Sequence, residues 1–158
     1  MKKVSKNTKE TTQIAKIFLN KILKDNYNPK GALVIGLSGD LGTGKTTFVQ
    51  AVARHLDIKD KVNSPTFVIM KKYSIVKQSQ YKIDPIKNLK YKFLFHFDAY
   101  RLKNEKELLY LGWDKIVGDK EHLVFIEWCE KVSKIIPANS KLVCISHTKQ
   151  GNRNFEFK

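Results

Sequence analysis

The segment Gly39-Asp40-Leu41-Gly42-Thr43-Gly44-Lys45-Thr46 limits what this chain can become more than any other stretch. It meets the pattern G-x-x-x-x-G-K-[ST] in full. A continuous apolar run from Ala32 to Leu37 precedes it, the mark of a buried parallel strand. A helix is expected behind it over about 45–56, with Phe48, Val49, Val52 and Leu56 on one side. Strand, glycine-rich turn and helix in that order form a phosphate cradle. Glycines let the backbone fold tightly enough to aim N–H groups at phosphate oxygens. The helix start adds roughly half a positive charge. Lys45 is placed to reach β- and γ-phosphates, and the Thr46 hydroxyl to ligate a magnesium ion bridging them.

The rest of the chain suits an α/β domain. Asn7 followed by Glu10 signals a helix start, and Ile14, Ile17, Phe18 and Ile22 then recur at helical spacing, giving a helix of about 8–24. The stretch 25–31 has turn chemistry. Strands are expected at about 66–73 and 91–98, at Leu123 to Ile126, at Lys141 to His147 and at Asn154 to Phe157. Asn104 and Glu107 open a short helix holding Leu108, Leu109 and Leu111. The polar, lysine-rich stretch 75–90 reads as a surface insertion. Strands alternating with helices predict a P-loop NTPase-like α/β fold, a mostly parallel central sheet flanked by helices, in a single domain over 1–158.

A carboxylate at the end of a second strand usually completes such a cradle by holding the metal. Two stretches compete, Phe93 to Asp98 and Leu123 to Glu127. Alternation puts Leu94, His96 and Asp98 on one face and three phenylalanines on the other. Asp98 could serve the metal or pair with Arg101 or a backbone group; Glu127 stands at a strand end beside Trp128. The residues alone leave that choice open. Ser64 and Thr66 flank Pro65 in the loop after the cradle helix, where nucleotide switches place a hydroxyl that senses the γ-phosphate. The same residues would also serve as an ordinary turn.

Composition excludes several classes. Apolar residues make up 42% and charged residues 28% of 158, near the values of ordinary folded proteins. No apolar run approaches the roughly 20 residues of a membrane helix. The basic start Met1-Lys2-Lys3 lacks the apolar stretch of a signal peptide, so a cytoplasmic, membrane-free protein is expected. Cys129 and Cys144 have no metal-ligand spacing and suit a reducing compartment. The net charge of +15 raises nucleic-acid binding. Lysine supplies 27 of the 30 basic residues, and with plentiful Asn and Ile this fits the compositional bias of an AT-rich genome. The excess still steers the chain toward a polyanion such as tRNA.

Taken together, GDLGTGKTTF at 39–48, NSPTF at 63–67, HFDAYRL at 96–102, Leu111-Gly112 and IEW at 126–128 resemble TsaE (YjeE), the ATPase family of bacterial tRNA threonylcarbamoyladenosine biosynthesis. The resemblance spans nearly the whole chain. It implies an ATP- and Mg²⁺-binding protein that associates with the TsaB–TsaD pair, which modifies adenosine 37 of tRNA. It implies weak hydrolysis alone and faster hydrolysis in the complex. By matching motif, Gly42, Thr43, Gly44, Lys45, Thr46 and Thr47 would hold phosphates; Thr46 and Glu127 would ligate magnesium. Ser64 and Thr66 would form a switch-like loop, Asp98 would support hydrolysis and Trp128 would lie near the nucleotide. Asn7 and Thr11 match a region that approaches the base, and Arg153 faces either the nucleotide or else solvent or a partner. The 75–90 stretch is longer than the family's usual connection. Two other functions are weighed: a small-molecule P-loop kinase, opposed by the lack of an arginine-bearing lid, and a basic RNA-binding module with a regulatory nucleotide site, opposed by the lack of a stacking-aromatic signature. For His96, Cys129 and Cys144 ordinary packing is expected.

Overall fold

The computed structural model describes residues 1–24, 30–75 and 90–158. Most of the expected 25–31 turn and of the 75–90 insertion lies outside the described residues. The elements run β1 (Lys2–Ser5), α1 (Thr8–Lys24), β2 (Leu33–Ser38), α2 (Lys45–His55), β3 (Met70–Ser74), β4 (Phe93–Asp98), α3 (Lys106–Tyr110), α4 (Trp113–Gly118), β5 (His122–Glu127), a 3₁₀ segment (Cys129–Ile135), β6 (Lys141–His147) and β7 (Arg153–Phe157).

The described strands form one seven-stranded sheet in the order β1-β7-β6-β2-β5-β4-β3. The expected parallel sheet is its centre. β2 lies between β6 and β5, and β4 lies beyond β5, all parallel. Both edges are antiparallel, β3 on β4 and β1-β7 on β6. A two-sided core follows from strand alternation. Leu33, Ile35, Leu37, Leu94, Leu123 and Phe125 face α1 and α2. Val34, Phe95, Phe97, Val124 and Ile126 face the opposite layer with Leu108, Trp113, Ile116 and Val132.

The start of α1 forms as its sequence signal implies. The Glu10 N–H donates to Asn7 Oδ1 at 2.9 Å, and Glu10 Oε2 accepts the Lys6 N–H at 2.7 Å, satisfying donors at a helix end that has no intrahelical partners for them. Strand β1 was not expected. Four residues carry no readable periodicity, and Lys2–Ser5 extends because β7 offers it an edge.

One expected strand begins late. Thr66 to Ile69 form a tight turn, with Val68 and Ile69 N–H groups both donating to Pro65 O, and β3 starts at Met70. Ile69 takes φ 65°, a left-handed conformation that costs a β-branched residue about 1–3 kcal/mol. The Asp98 N–H donates to Ile69 O at 2.9 Å, so a tertiary bond holds the turn against its β-forming composition.

Candidate nucleotide-binding site

Ligands of open α/β sheets bind beyond the carboxyl ends of the parallel strands. Here those ends are Ser38 of β2, Glu127 of β5 and Asp98 of β4. Register puts Leu37 beside Glu127 and Glu127 beside Asp98, so two carboxylates that could not be ranked from sequence stand as neighbours. An open cleft of ≈ 290 Å³ lies there, bounded by the loop and head of α2 on one side and by the two carboxylates on the other.

The loop needs its glycines. Gly39 takes φ 139°, and a Cβ there would stand 2.0 Å from the Ile145 carbonyl of β6. Gly44 starts α2 at φ 102°, with no side-chain cap. The first N–H groups of a helix have no intrahelical acceptor, so at α2 they and the helix dipole remain for an anion. Thr43 is buried and its hydroxyl donates to Asp40 O at 2.9 Å. Its side chain therefore fastens the loop from within, while Gly42, Gly44, Lys45, Thr46 and Thr47 line the cleft.

Lys45 is only 4% exposed. Its Nζ donates to Gly39 O at 2.6 Å and Asp40 O at 2.9 Å, and stands 3.8 Å from the centre of the Trp128 ring. Burial lowers its pKa from the ordinary 10.5; Glu127, Glu130, Asp98 and Asp40 oppose that shift. The cation is thus surrounded by carbonyl oxygens, a π-face and carboxylates, ready to exchange part of that company for phosphate.

Thr46 Oγ1 donates to Glu127 Oε1 at 2.7 Å, across 81 residues of sequence. Asp98 is engaged differently. One oxygen accepts the Thr66 hydroxyl and the other accepts the Tyr100 N–H at 2.8 Å. Ser64 Oγ stands 2.6 Å from Thr66 Oγ1, so the loop hydroxyls and Asp98 form one chain. Asp98 does not pair with Arg101, whose guanidinium stacks 4.3 Å from the exposed Phe67 ring. A hydroxyl and a carboxylate in contact, both hard oxygen donors, suit magnesium, which keeps several waters and takes phosphate oxygens rather than a full protein cage. No cluster of three His, Cys, Asp or Glu able to hold a metal occurs among the described residues.

His96 corrects the expectation of ordinary packing. It is fully buried, and its Nε2 lies 2.8 Å from the same Glu127 Oε1 that Thr46 contacts. Alternation had placed His96 on the Asp98 face, but the partner on another strand was invisible. Cys129 packs in the core, where its Sγ is the nearest atom to a Cβ at Gly36. Leu41 and Tyr100 line the cleft without having been singled out from sequence. Trp128 adopts φ 58°, which turns its ring toward Lys45 and Tyr100, the latter at 5.1 Å between ring centres.

Besides Thr43, three expected residues lie outside the cleft lining. Arg153 donates to Gly42 O at 3.4 Å and Gly151 O at 2.7 Å, bracing the loop from the side of β7. Asn7 caps α1, and Thr11 Oγ1 meets Ser5 Oγ at 2.8 Å in a buried contact. Ser5 is in register with Arg153, so the start of α1 sits beside the strand that reaches the loop.

A sheet of this topology, with a glycine-hinged loop delivering a lysine and a threonine hydroxyl to the head of a helix, defines a P-loop nucleotide-binding protein. Comparison with known proteins narrows this further. Residues 5–155 match the family described as threonylcarbamoyl adenosine biosynthesis protein TsaE, and the chain belongs to that family. The tRNA threonylcarbamoyladenosine biosynthesis protein TsaE of Haemophilus influenzae is 31% identical over 126 residues, covering 80% of this chain and 70% of that one. The protein of the same name from Rickettsia prowazekii is 28% identical over 161 residues, covering 94% and 93%. The crystal structure of Bacillus subtilis YdiB superposes with a TM-score of 0.69 at 27% identity, over 99% of this chain and 83% of that one.

Proposed function

We propose that this chain binds ATP with Mg²⁺ and hydrolyses it as the ATPase component of tRNA N6-threonylcarbamoyladenosine synthesis at position 37, acting in the cytoplasm with the TsaB–TsaD pair. The observation that carries the nucleotide half is the contact of Thr46 with Glu127 at the uncapped head of α2. The family membership carries the tRNA half. No described helix is long and apolar enough to cross a membrane.

In this reading the amides from Gly42 to Thr47 and the Lys45 ammonium hold the phosphates. Thr46 and Glu127 would hold a magnesium ion, which would supply charge neutralisation at the phosphates. Asp98, fixed by Thr66 and the Tyr100 amide, orients the water whose oxygen attacks the γ-phosphorus as the bond to the β-phosphate oxygen breaks, giving ADP and phosphate. Ser64 and Thr66 report the γ-phosphate to the loop that carries Phe67. Trp128 supports Lys45 from below, and Arg153 braces the loop. Asn7 and Thr11, beside β7, approach the base. Contact with tRNA runs through the complex.

The test is ATP turnover by the purified chain, alone and with the TsaB–TsaD pair. Slow turnover alone and a clear rise with the pair are expected, both abolished by chelating magnesium. Turnover unchanged by the pair would overturn the assignment to that complex.

A further inference from the structure

Glu127 Oε1 accepts from two directions, the Thr46 hydroxyl at 2.7 Å and His96 Nε2 at 2.8 Å. We propose that His96 is a positioning residue for the metal-holding carboxylate: from the neighbouring strand, on the same face of the sheet, it holds Glu127 Oε1 so that the carboxylate keeps its aim at the ion. The inference rests on the reading of Glu127 as a magnesium ligand and goes beyond it.

The geometry supports this in three steps. A carboxylate oxygen accepts, so Nε2 carries the hydrogen of this pair. The other ring nitrogen, Nδ1, is buried with no hydrogen-bond partner among the described residues. Among the described residues the ring is held through Nε2, by its contact with Glu127. Burying a polar ring with an orphaned nitrogen is unfavourable, and the neighbouring positions of that face, Leu94 and Phe125, show that an apolar side chain suits the layer. A histidine there has a purpose beyond filling space.

Next, the two donors to Oε1 differ in what else they would have to serve. The Thr46 hydroxyl has one hydrogen and two lone pairs, so beside an ion it would serve metal and carboxylate at once, and its aim at Glu127 would then be tied to the position of the ion. His96 has no such competing demand, because it is fully buried behind the carboxylate. It is then the partner that holds Glu127 whether or not an ion is bound. Finally, β4 and β5 pair through six residues in register, from Phe93 with His122 to Asp98 with Glu127, so the ring is carried on a rigid element. Partners of this kind typically change metal affinity by about 10- to 100-fold when lost.

The experiment measures Mn²⁺ affinity of the nucleotide-bound chain by electron paramagnetic resonance, and metal-free ADP affinity by calorimetry, for wild type, His96→Gln, His96→Asn, His96→Leu and Glu127→Gln. Glutamine places an amide N–H near the Nε2 position, whereas asparagine falls short by one methylene. We expect His96→Asn and His96→Leu to weaken Mn²⁺ binding about tenfold or more, His96→Gln to stay within about threefold of wild type, and metal-free ADP affinity to be unchanged in all three. Melting temperatures establish that each variant is folded. The Gln–Asn contrast decides the matter if the leucine variant does not fold. Equal Mn²⁺ affinity in wild type and His96→Asn, with Glu127→Gln impaired, would overturn the positioning role while leaving the metal site standing. Unchanged affinity in Glu127→Gln as well would overturn both.

Discussion

Replacing Lys45 isolates the electrostatic part of the cradle. Its Nζ sits among the Gly39 and Asp40 carbonyls, the Trp128 ring and four carboxylates that favour its charge, Glu127, Glu130, Asp98 and Asp40. Two contributions disappear in Lys45→Ala. A hydrogen bond from a charged donor to phosphate is worth about 1.5–3 kcal/mol. A unit charge about 4 Å from a phosphate, at the effective dielectric of a partly open site, interacts by about 4 kcal/mol. These overlap, and bound Lys45 gives up carbonyl contacts it already has, so a net loss of about 3 kcal/mol is expected. The neighbouring carboxylates, left without their cation, push the loss upward by repelling the triphosphate. The dissociation constant of a non-hydrolysable ATP analogue should therefore rise roughly 100- to 1,000-fold in calorimetry. Lys45→Met serves as the companion, because it keeps the apolar stem over Trp128 and removes only the charge. Equal losses in both variants fit the argument. A change within about threefold in Lys45→Met would refute it, since the ammonium would then not reach the phosphates.

Three further outcomes follow from local geometry and burial. Gly42→Ala meets no atom within 4 Å and costs only its left-handed φ of 77°, about 1–2 kcal/mol, whereas Gly39→Ala drives a Cβ to 2.0 Å from Ile145 O and should cost about 3 kcal/mol or more; comparable melting temperatures for the two would contradict the packing of the loop on β6. The Cys129 thiol, pushed up to about 12 by burial, should resist alkylation at pH 8 until the chain unfolds, while partly exposed Cys144 reacts. Because the folded state holds the Cys129 proton more tightly than the unfolded chain, the stability this thiol contributes is full below pH 9.0 and declines as pH rises toward 12; denaturant midpoints of wild type should fall faster over that window than those of Cys129→Ala.

The cradle was legible because its chemistry is contiguous. Eight consecutive residues carry the turn glycines, the cation and the hydroxyl, and the strand and helix on either side announce themselves by period. The same holds for α1, whose start is coded within Asn7 to Glu10. Other elements lacked a local code. Helix α4 begins after Gly112 at φ 82° and is held by its buried Trp113, whose Nε1 donates to Ile135 O at 3.1 Å. The apolar stretch entering β3 read as strand throughout, yet Thr66 to Ile69 turn because Asp98 binds both the Thr66 side chain and the Ile69 backbone.

By itself, then, the chain order of residues determined that a phosphate-binding loop would form and which helix would carry it, since those interactions close within a few residues. Tertiary structure alone decided how the two carboxylates divide their partners. Glu127 meets Thr46 and His96, and Asp98 meets Thr66, only because β2, β5 and β4 lie side by side in register. Those contacts join residues from 31 to 81 positions apart, a separation over which side-chain periodicity carries no information and strand pairing carries all of it.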